Sequence, residues 1–227
     1  MRTYKLYLIR HGLTEGNLDG RYVGSTDLDL CEEGAAELIS LTREYEYPNV
    51  GRVYTSPLKR CVETSRILYP EITPIAVEGI REYSFGSFEN KTAEELKENP
   101  DYRKWLESAQ EYAPEGSENM DDFKRRVMEG FDAIIRDMMK DKVSDAAVIT
   151  HAGVIMSFLS RSGLPQRDMM EWKVEAGKGY TLLVNASLWA NARMAEVFTP
   201  LPYGADRESV MLEYQKEMPY DDNFIDE

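Results

Sequence analysis

Tyr4-Lys5-Leu6-Tyr7-Leu8-Ile9-Arg10-His11-Gly12 is an apolar, β-prone run that stops abruptly on a cation, an imidazole and a glycine. Its alternation and its bulky residues predict a strand over 4–9. Two later runs have the same design. Residues 51–55 read as a second, weaker strand, followed by Ser56-Pro57 as N-cap and first residue of a helix over 58–68. Residues 146–150 read as a third strand that runs into His151-Ala152-Gly153 and an apolar helical stretch over 154–160. Strands alternating with helices predict an α/β fold, a three-layer sandwich with a mostly parallel sheet. Such sheets bind ligands outside the carboxyl ends of their strands, and here three strand ends deliver Arg10-His11, Arg60 and His151 to that edge.

Working outward, residues 32–45 and 120–140 read as amphipathic helices. In the second, Met120, Phe123, Val127, Phe131, Ile134 and Met138 recur at spacings of three and four, a core-facing stripe. Residues 181–184 and 194–198 read as later strands. The polar stretch 85–119, with Tyr102, Trp105 and Tyr112, interrupts the alternation and reads as a cap inserted over the site. Trp105 and the tyrosines there read as packing. The sequence thus predicts one domain over 1–200 and an acidic extension over 201–227, where eight acidic residues face two basic ones.

The net charge of −14 argues against nucleic acid or an anionic membrane as partner. It leaves room for a small anionic substrate, because a local basic pocket outweighs a distant field screened within about 8 Å. Cys31 and Cys61 are too few for a disulfide framework and read as reduced thiols. No apolar run has the length of a signal segment or a membrane span, so a cytoplasmic location is expected.

The chain has two histidines, and each follows a predicted strand and precedes a small residue and a glycine or a glycine itself. A single histidine there would read as structural; two of two, the first beside an arginine, point to chemistry. A phosphoryl group needs planar cationic donors for its oxygens, which arginine provides, and a nucleophile, which neutral imidazole provides. Gly12 and Gly153 are expected to let the backbone approach a ligand.

The run Leu8-Ile9-Arg10-His11-Gly12-Leu13-Thr14-Glu15-Gly16-Asn17 resembles the R-H-G-x-T-x-x-N motif of the histidine phosphatase superfamily, in its phosphoglycerate-mutase-like branch. Four further segments resemble family motifs in family order. Gly24-Ser25-Thr26-Asp27-Leu28-Asp29-Leu30 with Gly34 is similar to G-x-x-D-x-x-L-T-x-x-G, with Cys31 in place of the threonine. Ser56-Pro57-Leu58-Lys59-Arg60 with Thr64 is similar to S-x-L-x-R-x-x-x-T. Arg81-Glu82-Tyr83-Ser84-Phe85-Gly86-Ser87-Phe88-Glu89 resembles L-x-E-x-x-F-G-x-W-E. Val148-Ile149-Thr150-His151-Ala152-Gly153-Val154-Ile155 resembles V-x-S-H-G-G-x-I, with Ala152 replacing a glycine. Residues 114–119 match the family only loosely.

The resemblance implies a phosphoglycerate-mutase-like fold and a role for each matched residue. His11 is the implied nucleophile, which becomes phosphohistidine. Arg10, Arg60 and His151 surround the phosphoryl oxygens and Asn17 adds a donor. Glu82 protonates the leaving oxygen and then activates water. Glu89, Thr64 and Asp27 stay open between structural and functional readings. No metal and no cofactor is implied, and the expected partner is a small phosphomonoester; a homodimer stays open. Among family reactions, hydrolysis is favoured over mutase-type phosphoryl transfer. True mutases carry a longer cap with extra arginines, whereas Arg103 is the single arginine in 85–119. The cap resembles those of small-molecule phosphatases such as α-ribazole phosphatase. The competing reading is a non-catalytic phospholigand-binding protein on the same fold.

Overall fold

The computed structural model describes residues 3–108 and 112–204. Past residue 204 the expected acidic extension lies outside the described residues. In chain order the elements are β1 (Thr3–Arg10), α1 (Glu15–Leu18), α2 (Glu32–Glu44), β2 (Arg52–Thr55), α3 (Lys59–Leu68), β3 (Ile75–Ala76), α4 (Ala93–Leu96), α5 (Pro100–Ser108), α6 (Met120–Asp141), β4 (Asp145–Thr150), α7 (Ala152–Ser162), β5 (Gly163–Leu164), β6 (Gly179–Asn185), α8 (Ala186–Ala192) and β7 (Ala195–Leu201). Among the described residues the strands form one sheet in the order β3-β2-β4-β1-β6-β7-β5. Every pairing is parallel except those that β6 makes with β1 and β7.

Period two explains why the sheet lies inside a sandwich. Leu6 and Leu8 of β1 point into one apolar cluster, and Tyr7 and Ile9 point into another. In β4, Ala146 and Val148 share the first cluster, and Ala147 and Ile149 the second. With both faces covered, the strands carry apolar residues at successive positions, as buried parallel strands do. The predicted stripe of α6 fills the first layer with Phe123, Val127, Phe131, Ile134 and Met138, joined by α7 and Trp189 of α8. Phe131 stacks on Phe158 with ring centres 3.8 Å apart. Leu38 of α2 with Cys61 and Leu68 of α3 covers the opposite face. The inserted segment keeps a small core of its own, Phe88, Leu96 and Tyr102, with Tyr22, Phe85 and Trp105 packed against it.

Three features differ from the sequence expectations. The helix expected at 58 begins at Lys59, and its N-cap is Leu58, which makes no side-chain cap bond. Asp27 from a distant loop supplies the acceptor instead, taking the Lys59 N–H at 2.8 Å, so Ser56 is not the cap. β3 and β5 are two-residue edge strands too short to have a period. The stretch between the two last expected strands holds α8, capped by Asn185, whose side chain accepts from Ser187 and Leu188 N–H.

Candidate active site

The parallel ladder continues past the ends of its central strands. His11 N–H donates to Thr150 O and Ser56 N–H to Ile149 O, both at 2.9 Å. These bonds set His11, Ser56 and His151 side by side at the carboxyl edge. The two imidazoles meet edge to face, with ring centres 5.1 Å apart, and both are buried.

Each ring has a defined hydrogen-bonding state. His11 Nδ1 lies 2.6 Å from its neighbour Gly12 O; a carbonyl only accepts, so Nδ1 carries the proton and Nε2 keeps its lone pair. Burial, then the charge of Arg60, holds the His11 pKa well below the ordinary imidazole value, with Arg10 adding to the effect and the Gly12 bond opposing it. His151 is fixed differently. Arg60 Nε–H donates to its Nδ1 at 3.3 Å, so Nε2 is protonated and donates to Ser56 Oγ at 2.8 Å. Burial, then His11 and Arg60, lowers its pKa as well. The Cys61 sulfur lies 3.5 Å from His151 Nε2, and burial pushes that thiol's pKa up, so it stays protonated and inert.

Arg60 is fully buried and reaches the site from the first turn of α3. Its Nη1 donates to Thr26 O and its Nη2 to Gly24 O, both at 2.8 Å. With Nε spent on His151, one N–H remains on each terminal nitrogen. The 24–26 loop is itself held by Glu89, whose carboxylate accepts from the N–H groups of Gly24, Ser25, Thr26 and Phe85 and from the Thr26 hydroxyl at 2.6 Å. Burial works against ionisation of Glu89, but these bonds outweigh it and keep its pKa below the usual range. Glu89 is therefore a loop anchor, Thr64 a receiver of the Gly12 N–H at 3.0 Å, and Asp27 a helix cap.

Arg10 donates from Nη1 to Val174 O at 2.9 Å, while its Nε is buried without a partner. That is a costly state for a cationic donor. Asn17 lies across the cleft in a capping box with Thr14, where its Oδ1 accepts the Thr14 N–H at 3.2 Å. Glu82, partly buried, accepts the Tyr83 N–H at 2.9 Å and the Gly153 N–H of α7 at 3.0 Å. Burial raises its pKa; the two N–H bonds and the charges of Arg60 and Arg10 oppose that rise. Five of the six residues named from the sequence thus meet at one edge, and Asn17 shares the lining of the adjoining cleft with Glu82.

Both glycines make room for protein side chains. A Cβ at Gly153 would stand 2.6 Å from Glu82 Oε1, so that glycine makes room for the carboxyl group. A Cβ at Gly12 would meet Leu38 of α2 at 2.6 Å. Trp105 packs as expected but also lines a cleft beside Glu82. Two residues escape the sequence reading: Ser56, whose place after a strand at this same edge was its signal, and Arg126. From α6, Arg126 donates to Gly79 O, Arg81 O and Glu82 O at 3.0, 2.6 and 2.9 Å and pairs with Glu118. Nothing in its own sequence neighbourhood marks it.

Away from the histidines, ligand atoms of Glu15, Cys31 and Glu33 lie within 4.8 Å of one another, a grouping the sequence spacing did not suggest. Both carboxylates are exposed, and the Cys31 sulfur caps α2 by accepting the Gly34 N–H. Among the described residues no helix is long and apolar enough to cross a membrane.

Comparison with known proteins agrees with this geometry. The chain is 28% identical over 178 residues to the adenosylcobalamin/α-ribazole phosphatase of Escherichia coli, covering 76% of this chain and 86% of that one. It is 29% identical over 168 residues to a metal-independent phosphoserine phosphatase of Arabidopsis thaliana, covering 69% and 68%. The crystal structure of the α-ribazole phosphatase from Shigella flexneri matches the fold with a TM-score of 0.72 at 23% identity, over 85% of this chain and 94% of that one. The family model of the histidine phosphatase superfamily (branch 1) matches residues 6–196. The chain belongs to that superfamily, a family of phosphatases.

Proposed function

We propose that this chain is a metal-independent phosphomonoesterase that hydrolyses small phosphorylated metabolites through a phosphohistidine at Nε2 of His11. The observation that carries the reading is the His11–Gly12 bond. It fixes the tautomer whose free lone pair belongs to Nε2, in a ring kept neutral by burial and flanked by two arginines.

In the first half-reaction that lone pair attacks phosphorus and the bond to the alcohol oxygen breaks. The remaining Arg60 N–H groups, the orphan Nε of Arg10 and the Asn17 amide stabilise the phosphoryl oxygens. His151 contributes by turning its Nε2–H from Ser56 to an oxygen. Glu82, with its pKa raised by burial and raised further by a bound dianion, donates the proton the alcohol needs. In the second half-reaction the Glu82 carboxylate takes a proton from water as that oxygen attacks phosphorus. The P–N bond breaks, inorganic phosphate leaves and His11 returns neutral.

One observation favours hydrolysis over mutase chemistry, and another counts against a protein that only binds. Arg103, the single arginine of the cap, is spent on Glu98 and Lys97 O, so it offers no clamp for a carboxylated product. The paired nucleophile and acid, in turn, have no use in a protein that only binds. The relatives named as phosphatases, one of them metal-independent, support the same reading. The test is release of p-nitrophenol from p-nitrophenyl phosphate in excess EDTA. Undiminished turnover is expected; loss restored by Mg²⁺ or Zn²⁺ would overturn it.

A further inference from the structure

Beside Glu82 the cleft opens into a space of about 330 Å³ that the phosphoryl chemistry does not use. Asn17 and Glu82 line it, and much of the rest of its wall is aromatic. Trp105 meets Tyr22 at 5.5 Å between ring centres, Tyr22 meets Phe85 at 5.3 Å, Phe85 meets Tyr83 at 5.2 Å and Tyr83 meets Phe123 at 5.5 Å. All four contacts are tilted or edge to face, the preferred geometry for aromatic pairs. The wall is pinned from behind: Tyr22 and Tyr102 share a hydrogen bond of 2.7 Å, and the Phe85 N–H is held by Glu89.

Charge is nearly missing from this lining. Its single cation, Arg21, already has Nε and Nη1 engaged by Asp19, Asn90 O and Glu95. Its single carboxylate is Glu82 itself. A substrate bearing its own carboxylate and ammonium would lose water there and meet few partners, chiefly the part-engaged Arg21, the indole N–H of Trp105 and Glu82, so its charges would be poorly compensated. A flat apolar group would instead be buried against rings already in place, with little ordering left to do.

We propose that this aromatic-walled cleft is the leaving-group subsite, and that the alcohol of the substrate carries a flat aromatic or extended apolar group. The inference rests on the phosphatase reading above and names its substrate class. It sets aside phosphorylated hydroxy-amino acids and short hydroxy acids.

The experiment compares kcat/KM for 2-(2-naphthyl)ethyl phosphate, ethyl phosphate and O-phosphoserine. The first two release primary alcohols, so the contrast between them reports the side group. Burying the naphthyl ring is expected to raise kcat/KM by about 10²-fold over ethyl phosphate, with O-phosphoserine no better than ethyl phosphate. Trp105→Ala is expected to cut the naphthylethyl-to-ethyl ratio about tenfold. Should that variant fail to fold, Met169→Arg, at the half-exposed rim of the cleft, keeps the test open by shifting preference toward O-phosphoserine. Equal turnover of the first two substrates, or O-phosphoserine as the best of the three, would overturn the substrate class and leave the phosphatase reading intact. Hydrolysis of none of them, nor of p-nitrophenyl phosphate, would remove both.

Discussion

Glu82 is the residue whose role is most open to direct measurement. A general acid matters in proportion to how badly the leaving group needs a proton. Glu82→Gln keeps the size of the side chain but cannot donate, so kcat/KM is expected to fall by about 10²–10⁴ for alkyl phosphates and far less for p-nitrophenyl phosphate. Equal losses on both would remove Glu82 from the acid role. The pH profile carries the same signature. Activity should fall as pH rises through the elevated Glu82 pKa, and on the acid side only well below the ordinary imidazole value, where His11 protonates. At this scale the site was legible because its reacting side chains follow strands: Arg10-His11 and His151 announce themselves in sequence. The hydrogen-bonding state of His151 did not, because it depends on Arg60 and Ser56, about 90 residues away in the chain. The even choice left open for Glu89 turns on the six donors around it, which no motif displays.

At the scale of elements, α6 does more than its apolar stripe foretold. Its part-buried Arg126, outside the apolar stripe, clamps the backbone of residues 79–82 and so sets where the Glu82 carboxyl group stands. Arg126→Leu is expected to lower kcat/KM for alkyl phosphates by about 10–10²-fold, since a displacement near 1 Å costs that much in a positioned catalyst. Arg126→Lys should recover little of it, because an ammonium cannot span three carbonyls and a carboxylate. In a Glu82→Gln background the same change should add little, since the two residues share one function. Fully additive losses would show that the clamp serves stability alone. The stripe of α6 was legible because six apolar residues share one period. The start of α3 was not, because Asp27, its acceptor, comes from a loop 32 residues earlier. Nor were β3 and β5, since a two-residue strand has no alternation to read.

For the whole molecule, two buried neutral imidazoles make stability depend on pH. Unfolded, each takes up a proton near pH 6.5; folded, each resists until far lower pH. The unfolded state therefore binds more protons below about pH 6.5, and stability falls with falling pH by up to about 1.4 kcal/mol per unit for each histidine. Glu82, whose pKa is raised, offsets part of this above its unfolded value of about 4.5, because it loses stability as pH rises through that window. Urea unfolding at pH 7.5 and pH 5.5 should show the loss, and His151→Asn should flatten it; a midpoint independent of pH would contradict the burial argument. The sandwich was legible from alternating strands and helices, as was the mostly parallel sheet. The position of antiparallel β6 beside β1 was not, since strand order follows from packing of whole layers and leaves no local trace.

A phosphoryl group carried on His11 is tested by trapping it. Enzyme mixed briefly with radiolabelled phenyl phosphate and quenched in alkaline detergent should carry label that survives base and is lost in acid. Peptide mapping should place it on His11, and His11→Ala should lose both label and turnover. Label that persists in His11→Ala would place the nucleophile elsewhere, and hydrolysis that proceeds without any base-stable phosphoenzyme would exclude the phosphohistidine.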